Sequence, residues 1–254
     1  MISGPKRILL FAVLLLGSST VAFGLSRLYA PDHTLDLTPL PEYVAAPVPP
    51  QQDVGSVGAA PASAPADADQ LVDQAWVERT SRRTGIPWPA VRAYADAQLS
   101  GVGGCDLGWT TLAGIGWVES QHGTLGERLL DADAVPDSPI IGPALDGDGF
   151  AAIRSTRESQ RWHGDATWEH AVGPMQFLHS SWVRWAADGD GDGDTDPHDL
   201  DDAAATAARY LCASGVDVKT GPGWSSAVLS YNHSEEYVEQ VRSAASTYAE
   251  RAAR

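Results

Sequence analysis

From Asp69 the pattern turns helical, in segments that each have their own start and stop residues, and no stretch alternates long enough to demand a large sheet. Asp69 can cap a first helix running to about Thr84 and stopped by Gly85. Pro87-Trp88-Pro89 opens a second, which Gly101, Gly103 and Gly104 break. Residues 107–122 form a third, ended by Gly123. Ser180 caps a short helix over 181–187, and Asp201 caps an Ala-rich one over 202–213. Gly223-Trp224 opens another, and Ser234 caps the last, 235–252. Residues 124–172 hold many turn formers and little periodicity, so they read as a long irregular excursion. The expected fold is a mainly α domain over residues 71–254.

The chain has 254 residues, with 43% hydrophobic residues and nine Trp, enough for one sizeable core plus appendages. The net charge is −16, yet residues 1–30 hold Lys6, Arg7 and Arg27 and no acid, so the body is more acidic still. Such a body repels phosphate backbones, and nucleic acid is not an expected partner. In residues 1–30 the basic pair Lys6-Arg7 precedes the apolar run Ile8–Leu16, a small-residue break and a second apolar stretch to Leu25. That is the pattern of a signal peptide or an N-terminal membrane anchor, and export is expected either way. Residues 31–70 are rich in Pro and Ala and read as a disordered spacer. Cys105 and Cys212 then lie in an exported body, where a distant pair reads as a disulfide, with two buried thiols as the alternative.

The third helix carries the first chemical signal. Glu119 stacks above Ile115, Gly116 and Leu112, which is the apolar stripe. A carboxyl there is costly unless it is paired, protonated or used, and desolvation raises its pKa into the range of a general acid. A Glu that reaches water from the helix end, or pairs with an Arg, satisfies the same spacing, and both readings stand on the residues alone.

Three motifs extend the first reading. Trp117-Val118-Glu119-Ser120-Gln121-His122-Gly123 resembles the catalytic Glu-Ser signature of lytic transglycosylases. Ala171-Val172-Gly173-Pro174-Met175-Gln176-Phe177 resembles the second signature of their membrane-bound B-type group. Ala227-Val228-Leu229-Ser230-Tyr231-Asn232-His233 resembles the third, the Tyr-Asn pair. The motifs stand in the family's order, and the similarity runs from about Thr84 to Tyr248. The resemblance implies a lysozyme-like α fold and peptidoglycan glycan strands as the partner. It also implies cleavage of the bond between N-acetylmuramic acid and N-acetylglucosamine. Glu119 would protonate the glycosidic oxygen and then, ionised, take a proton from the C6 hydroxyl as a 1,6-anhydro ring closes, with no second carboxylate. The resemblance assigns Gln176, Tyr231 and Asn232 to holding the sugar and Ser120 to orienting the acid. Tyr231-Asn232 also reads as a plain helix C-terminus, since Asn tolerates the left-handed conformation. A hydrolytic muramidase and a non-catalytic wall-binding module remain the competing functions.

The second signal is Asp188-Gly189-Asp190-Gly191-Asp192-Gly193-Asp194-Thr195-Asp196-Pro197-His198-Asp199. Counted from Asp188, carboxylates fall at positions 1, 3 and 5, the turn Gly at 6 and Asp199 at 12, as in an EF-hand-type calcium loop. Asp194 would offer its backbone carbonyl at 7, and Asp196 stands at 9. Position 12 is Asp rather than Glu, Thr195 replaces the apolar residue at 8, and Pro197 stands at 10. A solvated acidic loop is the alternative. The expected cofactor is one structural calcium, with none for the chemistry.

Overall fold

The computed structural model describes residues 46–52, 71–148, 151–213 and 215–254. The signal-or-anchor segment 1–30 and most of the spacer 31–70 lie outside the described residues. No helix among the described residues is long and apolar enough to cross a membrane. Residues 46–52 depart from the expected unpacked spacer. Gln51 pairs antiparallel with Val72, and the amides of Gln52 and Asp73 donate to Leu71 O and Pro50 O at 2.7 and 2.9 Å. The buried Asp96 carboxylate anchors this edge by accepting from the amides of Leu71 and Val72.

Eight helices are formed among the described residues: α1 (Gln74–Thr84), α2 (Trp88–Ser100), α3 (Trp109–Ser120), α4 (Gln160–His163), α5 (His179–Trp185), α6 (Leu200–Cys212), α7 (Gly221–Tyr231) and α8 (Glu235–Ala252). The mainly α expectation holds. Starts move where a nearer oxygen reaches the free amides of the first turn. Asp73, not Asp69, caps α1 through the Trp76 amide. Asp199 caps α6 through the Asp201 amide, and Thr220 caps α7 through the Gly223 amide. Ser234 caps α8 as expected.

The core is built around α3, whose residues Trp109 to Gly116 are all buried. A β-carbon at Gly114 would sit 2.7 Å from Val241 O, so glycine there lets α8 pack directly on the α3 backbone. Gly116 does the same for α2, because a β-carbon would fall 2.0 Å from Tyr94 Oη. Leu112, Ile115, Tyr94, Val241 and Trp224 meet in one apolar cluster. Each fully buried aliphatic side chain in it contributes about 1.5–3 kcal/mol. The Cys105–Cys212 disulfide is present and ties the loop after α2 to the end of α6 across 107 residues.

The excursion is less irregular than its sequence suggests. Isolated antiparallel bridges join Ile141 to Val172, Arg154 to Trp168 and Val172 to Phe177, without any named strand among the described residues. Asp165 caps the Thr167 and Trp168 amides and contacts His170 at 3.2 Å, so it stabilises this framework.

Candidate active site

Of the two positions that helical spacing leaves open, Glu119 takes the buried one. Its residue is 3% exposed, and Tyr237 of α8 donates its hydroxyl hydrogen to Oε1 at 2.6 Å. Burial pushes the carboxyl from the ordinary 4.5 up to about 8, against the downward pull of that hydrogen bond. Glu119 therefore carries its proton at neutral pH inside an apolar surround, the state a general acid requires. Burial, and then the neighbouring Glu119, holds Tyr237 well above its usual range, so the phenol remains a donor. Sequence reading missed Tyr237. Its only signal was a tyrosine on the apolar stripe of the last helix, beside Val241 and Tyr248.

The end of α3 differs from the expected stop at Gly123. Gln121 and His122 both take left-handed backbone, with φ of 54° and 62°. The His122 amide donates to Gly116 O at 2.8 Å and the Leu125 amide to Ser120 O at 2.9 Å. The Ser120 hydroxyl has partners other than Glu119. It donates to Pro174 O at 2.5 Å and accepts from the Gly123 amide at 2.7 Å. It thus bolts the first motif to the second.

The second motif is a tight turn, with Val172 and Phe177 exchanging backbone hydrogen bonds at 2.9 Å. Met175 and Phe177 are fully buried. Gln176 has φ of 52°, is buried, and donates through Nε2 to Gly173 O at 2.9 Å. Tyr231 is fully buried too, and its hydroxyl donates to Met175 O at 2.8 Å. Its ring stacks parallel to Tyr237 with centroids 6.4 Å apart. Asn232 is buried with extended backbone, φ −141°, not the left-handed conformation a plain helix end would take. Gln176 and Tyr231 thus hold the turn together. A cleft of about 860 Å³ is lined by Glu119, Trp117, His122, Gln240, Thr247 and Arg251, among others, while Gln176, Tyr231 and Asn232 are not among its walls.

The acidic loop gathers a different set of carboxylates from the one its spacing suggests. Ligand-type oxygens of Asp188, Asp190 and Asp202 lie within 4.8 Å of one another. Asp199, expected at position 12, accepts from the Asp201 amide through Oδ1 and so caps α6. Asp202, which sequence reading left out, reaches back to accept from the amides of Gly189 and Asp196 at 2.7 Å each. Asp192, Asp194 and Asp196 are exposed, and the Asp192 and Asp196 carboxylates close local turns. Burial pushes Asp202 up to about 6 against the downward pull of the Asp196 and Gly189 amides, with the nearby Asp190 and Asp188 adding to the rise.

Residues 150–246 match the family model described as "Transglycosylase SLT domain". The chain is a peptidoglycan-cleaving enzyme. The matched residues contain Gln176, Tyr231, Asn232 and Tyr237 and begin after Glu119. Glu119 is joined to them through the Ser120–Pro174 and Tyr237–Glu119 hydrogen bonds. No curated protein matches the chain. Two solved structures are similar to it: the Escherichia coli lytic transglycosylase Slt35 in complex with bulgecin A and the same protein in complex with calcium. Each is 16% identical with a TM-score of 0.45. The similarity covers 71% of this chain in both cases, and 79% and 80% of theirs.

Proposed function

We propose that the enzyme is a lytic transglycosylase that cleaves the MurNAc–GlcNAc β-1,4 bond of peptidoglycan without water, leaving 1,6-anhydro-MurNAc ends. The observation that carries this reading is the buried, protonated Glu119 with a phenol as its hydrogen-bond donor. Protonated, it gives its hydrogen to the departing glycosidic oxygen. Once ionised, it accepts the C6 hydroxyl hydrogen while that oxygen bonds to C1, so the carboxyl ends as it began. Tyr237 serves both halves, since a hydrogen bond to the carboxylate steadies the charged intermediate state. Water exclusion around the carboxyl favours the internal hydroxyl over a hydrolytic water. Gln176, Tyr231 and Asn232 shape the neighbouring turn that meets the sugar and its acetamide. Glu119→Gln should leave binding to purified cell walls intact and abolish release of soluble fragments. A variant as active as the parent would remove Glu119 from the mechanism.

The same reading places the enzyme outside the cytoplasm, at the cell wall, with residues 1–30 as its export signal or tether and 31–70 as spacer. A structural calcium fits the acidic loop. The converging donors Asp188, Asp190 and Asp202 are all hard carboxylate oxygens, and Asp202 spans both ends of the loop. Such an ion would fix the α5–α6 connection and take no part in bond cleavage.

A further inference from the structure

His122 follows Glu119 by three residues, and no step of the chemistry above uses it. Its residue is 2% exposed. Its Nδ1 lies 3.1 Å from Tyr94 Oη of α2, and its Nε2 lies 2.8 Å from Tyr248 Oη of α8. Burial lowers its pKa to about 3, so the ring is neutral. A neutral imidazole has one N–H and one acceptor nitrogen. The two tyrosines, which burial keeps protonated, can each give or accept a hydrogen, so both ring nitrogens are matched. A phenylalanine ring of similar size would match neither.

The geometry has a consequence for Glu119. α8 grips the end of α3 at two places: Tyr237 at the carboxyl, and Tyr248, about three turns further along, at the imidazole. Gln121 and His122 are held in left-handed backbone, which disfavours side chains, so this terminus depends on its tertiary bonds. Glu119, His122 and Tyr248 all line the one cleft. If the His122 contacts slacken, water gains a path toward the carboxyl.

We propose that His122 is a positioning residue for the acid: its imidazole clamps the end of α3 between Tyr94 and Tyr248, and so keeps Glu119 against Tyr237 and away from water. This rests on the reading of Glu119 as the acid.

The test is His122→Gly, which removes the ring at a backbone position glycine accepts and leaves a ring-sized space at the cleft. The Glu119 carboxyl carbon is titrated by NMR in the parent and the variant, without additive and with imidazole or 1-methylimidazole, and fragment release is followed alongside. The expected result is a titration midpoint lowered by about one pH unit or more, and release at neutral pH reduced by roughly twofold or more. Imidazole, with its N–H and its acceptor, should restore both, and 1-methylimidazole, which lacks the N–H, should restore neither. Tyr248→Phe keeps the packing and removes one hydroxyl, so it should give a smaller shift of the same sign even if His122→Gly does not fold. A Glu119 midpoint unchanged in the folded variants, or equal rescue by both azoles, overturns the proposal. The NMR midpoint needs no turnover. A parent enzyme that releases no fragments would therefore sink the acid assignment, while the titration would still judge the clamp.

Discussion

A carboxyl held protonated by burial should leave a signature in folding stability as well as in rate. Glu119 titrates near 4.5 when exposed and at about 8 in the folded enzyme. Its folded pKa is raised, so the folded state keeps a proton that the unfolded state gives up between those values. The stabilisation is fully present below about 4.5 and is lost as pH rises through about 8. Within that window stability falls by about 1.4 kcal/mol per pH unit from this group alone. Glu119→Gln removes the titration while keeping the shape and an oxygen that accepts from Tyr237. At pH 7 the variant should therefore be more stable than the parent by about 3 kcal/mol relative to their difference at pH 4, or roughly 6–12 °C in Tm. The assay is chemical denaturation of both proteins from pH 4 to pH 9. Curves that stay parallel across the window would refute the claim that Glu119 is buried and protonated.

Four further outcomes follow from the same contacts. Tyr237→Phe removes the donor that pulls the Glu119 pKa down, so the basic limb of the pH–rate profile should move to higher pH. Turnover should also fall by about 10–150-fold, the worth of a hydrogen bond to a charged group, and an unchanged profile would count against the pairing. Replacing Cys105 and Cys212 by Ser opens a loop of 107 residues and should cost about 4–5 kcal/mol in denaturation experiments. Calcium should raise Tm and EDTA lower it. Asp202→Asn should abolish that response, whereas Asp194→Asn, which alters a side chain outside the cluster, should keep it. Gly116→Ala drives a methyl into Tyr94 Oη and should lower Tm and slow turnover together, since it pushes α2 away from the helix that carries the acid.

The helices were legible because their signals are local. Ser234 caps α8 at the expected residue, and Gly85 stops α1 in left-handed backbone. Periodicity offered the burial of Glu119 as one of two readings, and only its packing decides between them. What escaped were the side-chain hydrogen bonds between partners distant in sequence. Tyr237 meets Glu119 across 118 residues, and no spacing rule predicts that encounter. The α3 terminus was misread because contacts to α2 and α8 hold Gln121 and His122 where glycine is normally required. In the acidic loop the carboxylates of Asp188 and Asp190 do approach one another, as their spacing suggests. The spacing gave no sign of Asp202, which the first turn of α6 carries in beside them, while one oxygen of Asp199 caps that helix. The bond from the Ser120 hydroxyl to the Pro174 carbonyl, 54 residues away, was equally out of reach of any spacing rule.

The most direct test of the central claim is mass analysis of the muropeptides released from purified peptidoglycan by the parent enzyme and by Glu119→Gln. Fragments ending in 1,6-anhydro-MurNAc, each lacking the elements of one water, should come from the parent and be absent with the variant. Free reducing ends from the parent would establish hydrolysis in place of internal ring closure. The same anhydro fragments from Glu119→Gln would show that the buried carboxyl is not the acid.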